Sequence, residues 1–323
     1  MGSFFIRFTY LILEHRLKEH RLKMKLHKTL TVIATSLFFN TIYAASDDAS
    51  ACNKAYEQMN FPTALSLASK AIDANKNDKD ALLCQGRVYS AQGKLDDALK
   101  SFQLAEKQAT DGFDKMIVAL VTGHAYKDAG LHEQAIASYE QSLQQAKTIK
   151  SKAFERVAYQ SEGNVYLNAG KYQQALDAYM AGNALAANDN ERGESFESIA
   201  LAHHRLNQHD AALEYQIKAF MMHEKSGTLD QYAHASIELG RYYAAAKNYE
   251  RAERTLNKII KFAKEQGGAY YEAYGYCILA QVKAATGDSS TAKTLIDQAK
   301  VIAKNSHDQA LADEIEKETK GLI

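Results

Sequence analysis

Small and aromatic side chains return along this chain at fixed intervals, with polar residues filling the positions between them. Three stretches carry the pattern most fully: CQGRVYSAQGKLDDALKSFQLA over 84–105, VTGHAYKDAGLHEQAIASYEQS over 121–142, and EGNVYLNAGKYQQALDAYMAG over 162–182. Each has a glycine, a tyrosine three residues later, a second glycine at seven, an alanine at twelve, an aromatic four beyond that, and a small residue three further on. The anchors are Gly86, Tyr89, Gly93, Ala98, Phe102 and Ala105; then Gly123, Tyr126, Gly130, Ala135, Tyr139 and Ser142; then Gly163, Tyr166, Gly170, Ala175, Tyr179 and Gly182. The spacing predicts two antiparallel helices per copy. The first glycine and the first alanine are expected where the helices cross, since small residues let two backbones approach. The second small residue is expected where the second helix meets the following copy. The aromatics fill the wedges beside them, and the middle glycine ends the first helix, because it tolerates a left-handed cap.

Weaker copies keep the same offsets. Cys52, Ala64 and Ala71 give a first, with Pro62 early in its second helix, where a missing N–H is harmless. Ala200, Ala212 and Ala219 give a fifth; Gly240, Tyr243, Ala252, Leu256 and Ile259 a sixth; Ala280, Gly287, Ala292, Ile296 and Ala299 a seventh. Copies then start near 45, 79, 116, 156, 193, 233 and 273, at steps of 34, 37, 40, 37, 40 and 40 residues. Three extra residues are about one helical turn and six about two, so the growth lengthens helices with little rotation of their packing faces. After 306, SHDQALADEIEKETKGLI reads as a polar helix over 307–323 that closes the open end of the array.

This pattern resembles the tetratricopeptide repeat (TPR), in its longer-helix form, over about residues 45–306. The chain lacks the Trp common near the start of that repeat and the Pro common at its end, and Gln85, Thr122 and Glu162 stand where Leu is usual. The resemblance implies an all-α fold, a right-handed superhelical solenoid of antiparallel helix pairs whose first helices line a concave groove. In that family the groove is formed by the second, fifth, ninth, twelfth and thirteenth residues of each repeat. Carried over, the ninth place gives Asn53, Arg87, His124, Asn164, Arg241 and Gln281, with Leu201 in the fifth copy. The twelfth and thirteenth add Tyr56, Lys127, Asp128, Leu167, Asn168, His204 and Arg205, and the second and fifth include Asp80, Glu194 and Glu197. Amides suit an extended peptide backbone, and arginines suit carboxylates; the plainer alternative is that these are solvated polar residues or that the arginines pair with Asp80, Glu194 and Glu197. The Lys and Asn set with which some family members grip a terminal carboxylate is not met, for Ala49 stands where a Lys is needed.

Composition agrees with an all-helical chain: there is one Pro, no Trp and 17 Gly in 323 residues. The beginning of the chain is different in kind. From Met24, MKLHKTLTVIATSLFFNTIYAASDD has a basic head, an apolar stretch and Ala44–Ala45 ahead of two aspartates, the layout of a signal peptide over 24–44. The alternative is a retained anchor, although the apolar stretch is shorter than the ~20 residues a span needs. Residues 1–23 fit no usual leader, and are either an extension upstream of the true start or a long basic region. Residues 1–44 hold seven Lys or Arg and two Asp or Glu, which leaves 32 basic and 37 acidic residues, a formal charge of −5. An acidic remainder without basic runs gives no electrostatic footprint for nucleic acid, and membrane contact is expected only through an uncleaved leader.

Candidate chemistry is sparse. His203 and His204 are adjacent, about 100° apart on a helix, and no HExxH motif or Cys pair accompanies them, so no metal is expected. No nucleophile elbow or phosphate loop is present, and the repeat already accounts for the glycines. No enzyme activity and no cofactor are expected. Cys52, faintly placed as in a lipobox, is separated from the apolar stretch by Asp47 and Asp48. Cys52 and Cys84 fall on neighbouring first helices; a disulfide is possible but tight, and two small buried cysteines are the preferred reading, with Cys277 a core residue. The expected function is an exported, non-enzymatic scaffold that binds a protein or peptide in its groove, in a periplasm or outside the cell. The alternatives are a periplasmic sensory module for a small signal or cell-wall fragment, a structural subunit of an envelope complex, and an inner-membrane anchored form facing the periplasm. The sequence does not set the oligomeric state.

Overall fold

The computed structural model describes residues 46–322; the signal segment expected over 24–44 and the extension over 1–23 lie outside them. Among the described residues there are fifteen helices and no strand. They are α1 (Asp47–Glu57), α2 (Phe61–Ala74), α3 (Lys79–Ala91), α4 (Leu95–Lys107), α5 (Gly112–Asp128) and α6 (His132–Thr148), then α7 (Lys152–Asn168), α8 (Tyr172–Asn183), α9 (Asp189–Arg205), α10 (His209–Ser226), α11 (Leu229–Ala245), α12 (Tyr249–Gln266), α13 (Ala269–Ala285), α14 (Ser289–Asn305) and α15 (Gln309–Thr319). No helix among the described residues is long and apolar enough to cross a membrane. The chain divides between Ser151 and Lys152 into two compact units. Both are all-α and built in the solenoid manner, as stacked antiparallel helix pairs: three pairs in the first, four pairs and the single helix α15 in the second.

The crossing glycines explain the packing. A methyl on Gly123 would come within 2.6 Å of the Tyr139 ring, and one on Gly240 within 2.5 Å of Leu256 Cγ. Gly86 meets Phe102 and Gly163 meets Tyr179 in the same way, and all four partners are buried. The close approach is thus between glycine and the aromatic or leucine four residues beyond the alanine. Ala98, Ala135, Ala175, Ala252 and Ala292 are wholly buried alongside. The second small position is split, since Ala71 and Ala105 meet the following pair as expected while Ser142 and Gly182 face their own. Ser142 Oγ donates to the Met116 carbonyl at 3.1 Å, within its own pair. Gly182 likewise faces its own first helix, with room for a methyl at 3.5 Å from Tyr159 Cβ. Ala105 joins a cluster that includes Val118 of the next pair.

The middle glycine does end the first helix: Gly93, Gly130, Gly170 and Gly287 have φ of 72°, 73°, 74° and 85°. In the first, fifth and sixth pairs Met59, Asn207 and Lys247 hold the same left-handed place, at φ of 57°, 59° and 58°. From the third pair on, the first helix starts a turn further ahead of its anchor: α5 begins at 112 for Gly123, whereas α3 begins at 79 for Gly86. The starts are fixed by caps. Asp111 accepts from the Asp114 amide at 2.8 Å, Asn188 from that of Glu191 at 2.9 Å, and Thr228 forms a reciprocal capping box with Gln231.

The cysteines correct the sequence reading. Cys52 and Cys84 are joined in a disulfide, with Cα atoms 6.3 Å apart, rather than being two free buried thiols. Helices α1 and α3 approach closely here because their facing residues, Cys52, Ala55 and Cys84, are small and pack with Ala64 and Ala68. The Cys52 sulfur is therefore not a lipid attachment point. Cys277 is free and buried, and burial pushes its thiol up to about 12.

Candidate functional site

The first helices of successive pairs lie side by side in each unit, so the ninth-place residues form rows. In the first unit the row is Asn53, Arg87 and His124. Arg87 Nη1 donates to Asn53 Oδ1 at 2.9 Å, and its guanidinium lies 4.2 Å from the centre of the Tyr56 ring. Asn53 in turn donates to the Ala49 carbonyl at 3.2 Å. Burial, with Lys127 and Arg87 adding repulsion, lowers His124 to about 3, so the imidazole is neutral, edge-on to Tyr139. Lys127 Nζ stands 3.3 Å from Asp128. These four candidates are brought together as one polar strip.

In the second unit the row is Asn164, Leu201, Arg241 and Gln281. Asn164 accepts from the buried Tyr179 hydroxyl at 2.8 Å, so part of its capacity serves the core. Arg241 has a different set of partners from Glu194 and Glu197. Its Nε meets Glu238 at 3.3 Å, its Nη1 meets Glu318 of α15 at 3.0 Å, and its Nη2 donates to the Tyr274 hydroxyl. Burial opposes the charge on Arg241, but Glu238, Tyr274 and Glu318 more than offset it and raise its basicity. Gln281 donates to the Glu318 carboxylate at 2.9 Å and to its carbonyl at 3.0 Å. Helix α15 therefore does more than cover an end, since it supplies a carboxylate to two ninth-place residues. It is seated by Leu311 and Ile315, both fully buried against Ala273, Cys277, Ala299 and Ala303.

Glu194 is paired instead with Arg156, a residue that sequence reasoning missed. Arg156 is buried, with Nη1 3.6 Å from Glu194 and Nε 3.5 Å from Glu191. Burial raises Glu194 to about 7 despite Arg156, with Glu191 adding to the rise. Burial, with Glu238 and Glu194, raises Glu197 well above the usual carboxylate range. The signal for Glu238 was present, three residues before Arg241 on the same helix face. Arg156 and Glu318 had none, because their roles depend on which helices neighbour each other. His204 packs against His209 and Tyr242, each at 5.3 Å between ring centres, and burial lowers its pKa. Arg205 is exposed and makes no ion pair among the described residues. His203 stacks on Tyr215 at 5.3 Å. Among the described residues no three His, Cys, Asp or Glu side chains are grouped to hold a metal ion.

Family models described as tetratricopeptide repeat match residues 53–112 and 122–148. Outer dynein arm-docking complex subunit 4 of Homo sapiens is 25% identical over 189 residues, 58% of this chain and 28% of that protein. Its Bos taurus counterpart is 24% identical over 201 residues, 62% of this chain and 29% of its own length. The chain spans less than a third of the length of these curated relatives. Among solved structures, a Signal Transduction ATPase with Numerous Domains (STAND) protein with a tetratricopeptide repeat sensor from Pyrococcus horikoshii has a TM-score of 0.70 at 18% identity, covering 84% of this chain and 43% of that one. The apo form of RapI has a TM-score of 0.65 at 12% identity, covering 83% and 79%. At such identities the likeness is one of fold. The chain thus carries two stretches matched as tetratricopeptide repeats, and its further helix pairs are of the same construction.

Proposed function

We propose that this protein is an exported, non-enzymatic scaffold that binds a protein or peptide segment along its first-helix faces. The observation that carries the reading is the polar row at the ninth repeat place, with Arg87 and His124 in one unit and Asn164, Arg241 and Gln281 in the other. A stack of helix pairs presents such a row as a preformed surface, so little ordering opposes binding. Export is supported by the leader over 24–44 and by the Cys52–Cys84 disulfide, since stable disulfides belong to oxidising compartments. A periplasm fits both features, with the cell exterior and an anchored form facing the periplasm as the other locations. The similar outer dynein arm-docking complex subunit agrees with a binding role.

The test is affinity capture from an envelope extract with the mature chain as bait. A stoichiometric partner lost on Arg87→Ala with Lys127→Ala, or on Asn164→Ala with Arg205→Ala, supports the reading. A partner retained undiminished by both double variants contradicts it.

A further inference from the structure

On the first-helix face of the second unit, carboxylates outnumber the cations that reach them. Arg156 is shared by Glu191 and Glu194, and Arg241 by Glu238 and Glu318. Glu197, at a groove place of α9, has no Lys or Arg within 4 Å among the described residues. Its Oε1 is shielded from solvent and makes no hydrogen bond. The nearest base is His223 Nε2, 3.7 Å away on α10. The His223 side chain is completely buried and neither ring nitrogen is hydrogen-bonded. Burial, with His234 adding repulsion, lowers it to about 4, so it brings no charge to Glu197. A buried polar pair left this way is costly unless something completes it. The Glu197 side chain is nevertheless 23% exposed, so an incoming group can reach its carboxylate even though His223 is closed off.

The chemistry of that group follows from the arrangement. Beside burial, the charges of Glu238 on α11 and Glu194 on its own helix both disfavour ionisation of Glu197. A cation among them would relieve the repulsion. Among the described residues no three acids are grouped to hold a metal ion, and two carboxylates on neighbouring helices suit a cation that carries several hydrogen-bond donors. We propose that the first-helix face of the second unit binds a lysine or arginine side chain of a partner peptide, with Glu197 and Glu238 as its carboxylate acceptors. The inference rests on the binding reading above and specifies the partner as a basic segment.

The experiment is fluorescence anisotropy of the mature chain with labelled twelve-residue Lys-Ala and Glu-Ala repeat peptides, and with unlabelled spermidine as competitor. The Lys-Ala peptide is expected to bind, more weakly as NaCl rises, and the Glu-Ala peptide not to bind. Glu197→Gln with Glu238→Gln, whose fold is checked by circular dichroism, is expected to weaken binding at least tenfold. Glu197→Gln alone, near-isosteric and neutral, is expected to weaken it severalfold. Binding undiminished by either variant, equal binding of both peptides, or binding of spermidine without the peptide would each overturn the proposal. Capture of an envelope partner that depends on Arg87 or Arg205 but is untouched by Glu197→Gln and Glu238→Gln would sink this inference and leave the scaffold reading intact.

Discussion

Arg241 on α11 and Glu318 on α15 meet at 3.0 Å, across two successive helix pairs. Gln281 on the intervening α13 holds the same carboxylate, so three neighbouring elements are locked by one side chain. Charge-assisted hydrogen bonds of this kind contribute about 1.5–3 kcal/mol each, and these groups are about a quarter exposed, which places them at the low end. Glu318→Ala is expected to lower stability by about 1–2 kcal/mol. It should also speed amide hydrogen exchange in α15 ahead of α13. Unchanged exchange in α15 would show that Leu311 and Ile315 alone seat it.

Gly123 and Tyr139 make the plainest packing test. Tyr139 is wholly buried, so its ring has nowhere to move when a methyl arrives at 2.6 Å. Gly123→Ala is expected to destabilise by about 1–3 kcal/mol, the usual range for overpacking, even though alanine favours the helix. Gly182→Ala, where the nearest atoms are at 3.5 Å, is expected to be neutral or slightly stabilising. Urea midpoints for the two variants give the comparison.

The architecture was legible because it rests on local rules. A glycine facing an aromatic, and a second glycine ending the first helix, need only offsets along one chain. Partnerships between helices were not legible. The repeat resemblance placed Arg241 on a groove face, but nothing in spacing says that a carboxylate 77 positions on will reach it. Arg156 stands outside the groove places and looked like one more polar residue, yet it is the cation that Glu194 uses. The disulfide was misjudged for the same reason: the approach of α1 and α3 depends on how small the residues between them are. Asn164 shows the opposite limit, a groove residue by position whose carbonyl serves the core hydroxyl of Tyr179.

Reduction of the Cys52–Cys84 bond releases a constraint across 32 residues. Loop-closure entropy puts that constraint at about 3–4 kcal/mol. A reducing agent, or Cys52→Ser with Cys84→Ser, is expected to lower the unfolding midpoint of the first two helix pairs by a corresponding amount. An unchanged midpoint would mean that packing of Ala64, Ala68 and Val88 already fixes α1 against α3.

Two groups give opposite pH responses. His124, faced by Lys127 on its own helix, Arg87 on α3 and Tyr139 on α6, is lowered to about 3. Its folded value lies below the ordinary one, so its contribution is present above about pH 6.5 and lost as the pH falls toward 3. Glu194, faced by Glu191 on its own helix and Arg156 on α7, is raised to about 7. Its contribution is present below about pH 4.5 and lost as the pH rises through 7. His124→Gln should therefore reduce the acid loss of stability, and Glu194→Gln should reduce the loss between pH 5 and 7. Denaturant midpoints across pH 4–8 test both signs.

Site-specific photo-crosslinking reaches the central claim most directly. A benzoylphenylalanine placed at Asn168 or Arg205, on first helices, and at Gln174 or Lys218, on second helices, asks which face meets the partner in cells. Adducts from Asn168 and Arg205, absent from Gln174 and Lys218, are the predicted result. Adducts from the second-helix positions alone would contradict it.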